Sequence, residues 1–438
     1  MTARRKTLLM VVAALLGAAY AGPVLATGGG GPSGRFSLFG SWASRRYLDS
    51  GSSDLTELIT TMSLHSGSDD NGLEWAVDGR VATFPSSDRE QRISLYEAWA
   101  GWRSPSGLLH LRAGQLWINE LGALGSLGGA QVELRFHGRS RSSAWRTGVF
   151  AGLEPEIADA GYTPDVKKGG AYLALDGAGG RRHVLGWIGI QHGGLTERSV
   201  LVFNNFVPVD RRLFVYQALE LDTQGPGGVG GSRLSYLFVN VRYAVSHYVE
   251  VQGTYHRGQS VDVRTITQDL LDERPVDPRL LDGILFESAL VRVTVRPVRG
   301  LITWVSRGRD TNNRGEPARD RLGLGISANN VMGSGIDLTV SNTNVQFGGD
   351  SYNSLYVSLG ATIGRRTYLT LDYTKSLSVF HRIGADGGLI EVRPDSTRTA
   401  LSANLNLNRT LSVLLSLEYY NNPGFDETRG LIGLGVRF

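Results

Sequence analysis

The chain has 438 residues, a formal net charge of +4 and no cysteine. The lack of cysteine excludes disulfide bonds, thiolate zinc sites, thiol nucleophiles and covalent haem attachment. The weak net charge removes any global electrostatic argument for nucleic-acid binding, so no nucleic acid is expected as a partner.

Residues 1–26 have the three-part layout of a secretory signal peptide. A basic stub, Arg4-Arg5-Lys6, precedes an apolar run from Leu8 to Ala19, and small residues follow at Val24-Leu25-Ala26. A membrane anchor is the competing interpretation, but the apolar run is shorter than the roughly 20 residues of a spanning helix. We therefore predict cleavage after Ala26, with Ala21 as the alternative point. Removing the three basic residues of the stub from a net charge of +4 leaves +1.

Residues 27–34 include a run of glycines and are expected to form a flexible lead-in. From Arg35 to Phe438, apolar and polar residues alternate with period two in segments of about 9 to 11 residues, and turn residues separate the segments. In one such segment Val249 and Val251 alternate with Glu250 and Gln252. Residues 35–438 are thus predicted to be all-β and a single domain.

A closed barrel in a membrane and a soluble sheet protein both show this alternation. The same unit continues along essentially the whole chain, and its polar face is rich in Ser, Thr, Asn, Gly and Arg instead of the Lys and Glu of a solvated surface. Both features favour a single antiparallel transmembrane β-barrel. A soluble propeller is the weaker alternative.

The connections predict the topology of the barrel. Short links at 104–107, 246–247, 297–300, 332–335, 364–365 and 408–409 alternate with longer ones at 154–169, 258–286, 310–319, 380–396 and 421–427. Barrels of this kind have short turns on one side of the membrane and long loops on the other. Counting segments gives a best estimate of about 22 strands, within a range of about 18 to 22.

Two connections have an unusual composition. Residues 119–129 contain Leu121, Leu124 and Leu127, which are unexpected in a solvated tip and indicate either a constriction or packing under a neighbouring strand. The long loop at 259–286 contains a short helical pattern that ends at Pro275 and Pro278. Such a helix is expected either to fold into the lumen or cap the mouth, or to belong to a partly ordered loop.

The sequence contains no strong candidate for a catalytic or metal-binding site. Asp310 to Glu316 resembles the start of a calcium loop, but Arg314 and Arg321 occupy positions where ligands are needed, which favours a solvated loop. The 8 histidines are scattered over different segments and no G-x-S-x-G motif is present. We predict no catalytic, metal or cofactor site and no cofactor. A barrel hydrolase with a site assembled from distant residues is the remaining enzymatic alternative.

The last segment, Thr428 to Phe438, has Ile432, Leu434 and Val436 on one face and ends in phenylalanine. Here the chain resembles the porin-like class of Gram-negative outer-membrane β-barrels, in which such a terminal strand is read by the barrel-assembly machinery. The resemblance implies that Phe438 is the assembly signal, that short turns and residues 27–34 are periplasmic, and that longer loops are extracellular. The resemblance does not identify a subfamily.

Charged residues of the polar faces are expected to point into the lumen, since Arg facing lipid near the midplane costs about 2–4 kcal/mol. The candidate lumen-lining residues are Glu74, Asp78, Arg80, Arg112, Glu133, Arg135, Arg242, Glu250, Arg292, Arg296 and Asp372.

The resulting hypothesis is an outer-membrane channel for passive diffusion of small hydrophilic solutes, with a weak preference for anions because arginine is abundant. The expected partners are outer-membrane lipid and lipopolysaccharide, the barrel-assembly machinery and the solutes, with homo-oligomers left open. The main alternative is a structural barrel that encloses a partner protein or acts as a surface adhesin. The short lead-in argues against an energy-coupled receptor.

Overall fold

The computed structural model describes residues 32–48, 51–66, 72–137, 143–156, 161–228, 231–383 and 389–438. The predicted signal peptide, both candidate cleavage points and most of the lead-in lie outside these residues.

The described chain is 74% strand and 6% helix, which confirms the all-β prediction. The strands are β1 (Ser33–Tyr47), β2 (Ser52–His65), β3 (Gly72–Thr83), β4 (Arg92–Arg103), β5 (Leu109–Trp117), β6 (Ser126–His137), β7 (Ala144–Pro155), β8 (Tyr162–Asp176), β9 (Arg182–His192), β10 (Leu195–Pro208), β11 (Leu213–Gln224), β12 (Arg233–Ala244), β13 (Val249–Ser260), β14 (Ile284–Val298), β15 (Leu301–Asn312), β16 (Arg319–Ala328), β17 (Ile336–Phe347), β18 (Asp350–Ile363), β19 (Thr367–Ile383), β20 (Leu389–Val392), β21 (Asp395–Asn406), β22 (Leu411–Asn422) and β23 (Phe425–Arg437).

These strands form one closed antiparallel barrel of 22 strands, which matches the best estimate from the sequence. Each barrel strand pairs with its neighbour in the chain, and β1 closes the barrel by pairing with β23, where Trp42 lies opposite Gly430. The short β20 pairs with the outer part of β19 and belongs to the loop before β21. Closure leaves no free edge, so every strand of the barrel wall finds a hydrogen-bonding partner on both sides.

Exposed apolar side chains cover the outside of the barrel. Val291 of β14, Leu324 of β16 and Ile432 of β23 are 54%, 50% and 54% exposed. Their sequence neighbours point to the opposite face because side chains alternate along a strand. Apolar groups on an outer wall with polar groups inside is the arrangement of a barrel that spans a lipid bilayer.

The outer wall becomes polar toward one end. Arg257 pairs with Glu287 at 3.7 Å, and Arg309 lies opposite Asp320 in the β15–β16 register, on the outward face. Since charges facing lipid are costly, this part of the wall is expected to extend beyond the bilayer.

The two ends of the barrel have different connections. The terminal end carries Ser33 and Phe438 together with compact turns such as 245–248, 299–300 and 364–366. The opposite end, called the long-loop end here, carries the connection 261–283 and, between β19 and β21, the short β20. All the predicted short links lie at the terminal end and all the predicted longer links at the long-loop end.

Two of the predicted long links are wrong in extent. β22 and β23 stay paired until Asn422 faces Phe425, so the link predicted at 421–427 is a tight turn at Pro423-Gly424. The link predicted at 154–169 shrinks because β8 already begins at Tyr162. The sequence pattern did not indicate either strand extension, because these residues are polar. Outside the bilayer a strand does not need alternating apolar side chains.

The connection between β13 and β14 contains helices α1 (Val263–Leu271) and α2 (Pro278–Asp282). None of the helices in the described part of the chain is long and apolar enough to cross a membrane.

Glycine is required where β6 and β7 approach each other closely. A Cβ at Gly129 would overlap the Ala151 carbonyl oxygen and the Gly152 backbone, whereas a Cβ at Gly40 on β1 would meet nothing within 4 Å. We expect Gly129→Ala to lower the free energy of unfolding by about 1–3 kcal/mol, because backbone atoms must move to make room. Gly40→Ala should leave it unchanged. Urea titration of the refolded barrel measures both, and equal midpoints for the two variants would contradict this packing.

Candidate functional site: the lumen and its inserted loop

The strand register places the candidate lumen-lining residues on the face opposite the exposed apolar side chains. Arg112 is next to the outward Leu111, Arg292 next to Val291, and Asp372 lies between Leu371 and Tyr373. The same parity holds for the others. Their part in solute passage stays a prediction.

Several of these residues form ion pairs, either across neighbouring strands or, for Glu133 and Arg135, within β6. Glu74 contacts His110 and lies 3.4 Å from Arg103, and Arg80 lies 3.4 Å from Glu57. Glu250 and Arg296 are 3.5 Å apart, and Arg135 is 3.1 Å from Glu133. In these pairs the charge of each side chain is largely compensated by its partner.

Other candidates interact without a carboxylate. Arg112 donates to the Gln131 side chain at 2.8 Å and lies over the Trp99 ring at 5.1 Å. Arg292 lies 4.8 Å from the centre of the Trp304 ring, and Arg242 lies 5.6 Å from that of Phe214. Among the described residues none of these three guanidinium groups has a carboxylate within salt-bridge distance. Asp372 accepts a hydrogen bond from Tyr356 at 2.7 Å, and Asp78 lies opposite Glu97 in the register.

The connection between β5 and β6, residues 118–125, folds into the barrel and is called the lumen loop here. Ile118 and Leu121 are fully buried and Leu124 is 2% exposed. They pack with Leu127 on inward residues of β5 and of β7 to β10, namely Leu116, Phe150, Tyr172, Ala174, Val184, Ile188, Val200 and Val202. The leucines that were unexpected in a solvated tip therefore lie against the inner wall.

A buried ionic cluster holds the start of the lumen loop. Glu120 pairs with Arg146 at 2.5 Å and with Arg182 at 2.7 Å, and its carbonyl oxygen accepts a hydrogen bond from Asn204 at 3.1 Å. Arg146, which is 8% exposed, also pairs with Asp176 at 2.7 Å. Removing one member of such a cluster leaves a buried charge without its partner, which typically costs about 3–5 kcal/mol.

The candidate Glu133 belongs to the same cluster. It lies 3.1 Å from Arg146 and accepts a hydrogen bond from the Tyr172 hydroxyl at 2.5 Å. Sequence reasoning identified Glu133 but missed Arg146 and Glu120. Arg146 could have been found from its position between Trp145 and Thr147, because it has the inward parity of a strand whose other face is apolar. Glu120 lies in a loop, where no periodicity marks the direction of a side chain.

The end of the lumen loop is held by Lys168 of β8. Its ammonium group donates to the carbonyl oxygens of Leu124 at 3.1 Å and Ser126 at 3.4 Å, and pairs with Glu154 at 3.2 Å. Gly186 makes room for the middle of the loop, because a Cβ there would overlap the Leu121 side chain. The loop is thus fixed at its start, centre and end.

Helix α1 packs at the long-loop end. Ile266 and Thr267 are fully buried, and Leu271 lies over Gly193 in the β9–β10 turn. Arg264 joins the helix to Glu154 at 2.5 Å and Glu197 at 2.9 Å. The helical segment predicted within 259–286 therefore folds back onto the barrel at the ends of β7, β9 and β10.

The described residues contain no group of three or more His, Cys, Asp or Glu side chains arranged to hold a metal ion. Asp310, the first residue of the calcium-like segment, pairs with Arg321 at 2.8 Å.

We expect Leu121→Ala to loosen the lumen loop, because a fully buried leucine truncated to alanine typically loses about 2–5 kcal/mol. Amide exchange in residues 118–125 should accelerate strongly while exchange in β1 and β23 stays slow. Leu111→Ala, the same change on the outward face of β5, is the control. Equal protection of the loop in both variants would show that Leu121 does not anchor it.

Asp262 caps helix α1 by accepting hydrogen bonds from the Thr265 hydroxyl at 2.7 Å and from its backbone N–H at 3.0 Å. These bonds hold the pKa of Asp262 below its usual value. The contribution of the carboxylate charge to the cap is therefore complete above the ordinary aspartate pKa and is lost as the pH falls through the lowered one.

Asp262→Ala should destabilise α1 by about 1 kcal/mol at neutral pH, and Asp262→Asn should retain most of the cap. The rate of proteolysis within 261–283 measures the effect. At a pH below the lowered pKa the native chain and Asp262→Asn should be cleaved alike, because both side chains are then neutral. A difference that persisted there would contradict the carboxylate cap.

No model of a known protein family matches the chain, and the curated proteins contain no match. Among solved structures, the Pseudomonas aeruginosa ferric enterobactin receptor PfeA in complex with BCV-L6 is 10% identical, with a TM-score of 0.54 over 92% of this chain and 81% of that one. P. aeruginosa OccK3 (OpdO) is 11% identical, with a TM-score of 0.42 over 93% and 96% of the two chains. The similarity to the receptor extends to the fold alone, and the similarity to OccK3 is too weak to support an argument. With its own closed apolar wall, the chain has the fold of an outer-membrane β-barrel.

Proposed function

We propose that the protein is a passive diffusion channel for small hydrophilic solutes, with a weak preference for anions. The observation that carries this proposal is that the lumen loop covers one side of the inner wall and leaves the other side open to water. The channel is then narrowed but not filled.

Burial differs between the two sides of the lumen. The apolar cluster around the lumen loop rests on β5 and β7 to β10. Across the barrel, inward arginines remain accessible: Arg296, Arg321 and Arg398 keep 41%, 38% and 43% of their side-chain surface exposed. Charged side chains that stay exposed inside a closed wall support a water-filled passage beside β14 to β22.

The anion preference rests on the arginines that lack a carboxylate partner among the described residues. Arg112, Arg242 and Arg292 contact aromatic rings or an amide, whereas Glu74, Glu133 and Glu250 lie beside arginines. Uncompensated positive charge on the lumen wall raises the local concentration of anions.

The proposal includes an orientation and partners. The terminal end would face the periplasm, and the long-loop end the cell exterior. The outward residues Ile432, Leu434, Val436 and Phe438 of the final strand would be read by the barrel-assembly machinery. Outer-membrane lipid and lipopolysaccharide would surround the wall. Cleavage of residues 1–26 and the absence of catalysis remain parts of the hypothesis, which leaves homo-oligomers open.

Planar-bilayer recording of the refolded chain tests the channel and its selectivity. We expect stable conductance steps and, in a salt gradient, a reversal potential whose sign is that of an anion-selective channel. Arg112→Gln and Arg292→Gln, each made singly, should lower the anion-to-cation permeability ratio by about two- to fivefold, since each lumen charge acts with roughly 0.5–1 kcal/mol through water.

Arg307→Gln is the matched control, because Arg307 lies on the outward face next to Leu322 in the register and its loss should not change the ratio. A folded barrel without conductance would contradict the channel and favour a barrel that encloses a partner or acts as an adhesin. A reversal potential of the cation sign in the unmodified chain would remove the anion preference alone.

A further inference from the structure

A row of aromatic rings runs along the inner wall from β10 to β14. Its members face the lumen by strand parity and are called the aromatic row: Phe206, Phe214, Tyr216, Phe238, Tyr236, His256 and Phe286. Apart from Phe214, which Arg242 contacts, the anion preference does not involve these rings. Their alternation with outward residues does not indicate that they lie side by side.

Neighbouring rings in the row are in contact or nearly so. The ring centres of Phe206 and Phe214 are 5.0 Å apart, and those of Tyr216 and Phe238 are 5.7 Å apart. His256 then lies 6.2 Å from Phe238, 5.3 Å from Tyr236 and 5.8 Å from Phe286. Phe206 and Tyr216 face each other in the register, which joins the two parts of the row.

The row connects the two ends of the barrel. Phe214 is the second residue of β11 at the terminal end, and Phe286 is the third residue of β14 at the long-loop end. The outermost members, Phe206 and Phe286, are 43% and 41% exposed. A solute could therefore remain in contact with aromatic faces over most of the length of the lumen.

A cavity of about 540 Å³ lies over the long-loop end of the row. Tyr236, His256 and Phe286 form one side of this mouth cavity, and its edge is formed before and at the start of α1 by residues 258–261 and Val263. Its remaining wall contains Arg198, Glu220, Asp222, Arg233 and Ser235.

The charges of that wall compensate one another. Arg198 lies 3.1 Å from Glu220 and 2.9 Å from Asp222, and Arg233 lies 3.2 Å from Asp222. The Ser235 hydroxyl donates to Asp222 at 3.1 Å. Equal numbers of acids and arginines produce little net field, so neither an anion nor a cation gains much from the cavity. Hydrogen-bond donors and acceptors nevertheless alternate along the wall.

We propose that the mouth cavity and the aromatic row bind a neutral, ring-shaped, polyhydroxylated solute, that is, a short carbohydrate. Each hydroxyl group both donates and accepts hydrogen bonds, which matches a wall of alternating guanidinium and carboxylate groups. The C–H faces of sugar rings are apolar and flat enough to lie on aromatic faces. Movement along the row would then exchange one ring contact for the next. This inference rests on the proposed channel and names its solute class.

Binding is tested first without any requirement for conduction. Isothermal titration calorimetry of the detergent-solubilised full chain with maltohexaose, a linear glucose oligosaccharide, should show saturable binding. Polyethylene glycol of matched hydrodynamic radius, which has no ring face, should not bind. Absence of maltohexaose binding, or equal binding of the polymer, would overturn the carbohydrate assignment whether or not the barrel conducts.

The aromatic row is tested by Phe238→Leu and Tyr216→Leu, which keep an apolar side chain but remove the ring. Each should weaken maltohexaose binding by about two- to tenfold, the range expected for one lost stacking contact. Tyr373→Leu on the outward face of β19 is the matched control and should bind as the unmodified chain does. Unchanged binding in both row variants would overturn the role of the rings.

Ion conductance in the same preparation separates this inference from the proposed function. Maltohexaose should reduce the current of an open channel in a concentration-dependent way. Sugar binding by a silent barrel would support the carbohydrate site and contradict the channel. A conducting channel blocked by tetraethylammonium but not by maltohexaose would show that the rings bind cations, and would overturn the carbohydrate assignment.

Discussion

The pairing of β1 with β23 is the constraint on which the rest of the structure depends. A bilayer offers no water to an unpaired backbone group, and each unsatisfied N–H or C=O there costs several kcal/mol. The hydrogen bonds between Gly34 and Phe438, together with the register from Arg35↔Arg437 to Tyr47↔Phe425, remove the last free edges. With 22 strands, the closed wall encloses a lumen too wide to be filled by the side chains of the wall itself.

A wide lumen leaves space that the chain fills unevenly. The lumen loop brings its own apolar side chains to β7 to β10, so this part of the inner wall is a dry core inside the barrel. Glu120 accompanies those side chains, and Arg146 and Arg182 compensate the charge that is buried there. Helix α1 adds a second inward anchor at the long-loop end through Arg264. On the other side, polar and charged side chains remain in contact with water, and this division gives the barrel both a constriction and a passage.

Period-two alternation was sufficient to predict the barrel, because lipid outside and water inside impose opposite polarity on successive residues. Counting the alternating segments gave 22 as the best estimate of the strand number. Alternation failed where that contrast is absent. The polar ends of β22 and β23 were assigned to a loop, although Asn421 and Asp426 lie opposite each other in a regular ladder. Alternation also could not predict the direction of the side chains in the lumen loop.

The contacts that matter most for the site join residues far apart in the chain. Glu120 meets Arg182 and Asn204 only because five strands bring them to one side of the lumen. The aromatic row depends in the same way on the stagger between neighbouring strands, since alternation gives the face of Phe238 or His256 but not the ring beside it. Both features follow from the register between paired strands, which cannot be predicted from a single sequence.

The constriction depends on residues 118–125, which fold into the lumen and lie against β9. Because the native chain has no cysteine, one engineered pair reports on this contact without background. Leu121→Cys with Gly186→Cys places two thiols where the Leu121 side chain meets the Gly186 backbone. Mild oxidation in native outer membranes should cross-link most of the protein, as seen by its altered mobility on a non-reducing gel, whereas Leu121→Cys with Gly40→Cys on the outward wall should not cross-link. If the first pair stays reduced and position 121 reacts with a membrane-impermeant maleimide as fast as in the unfolded chain, the loop lies outside the lumen and the account fails.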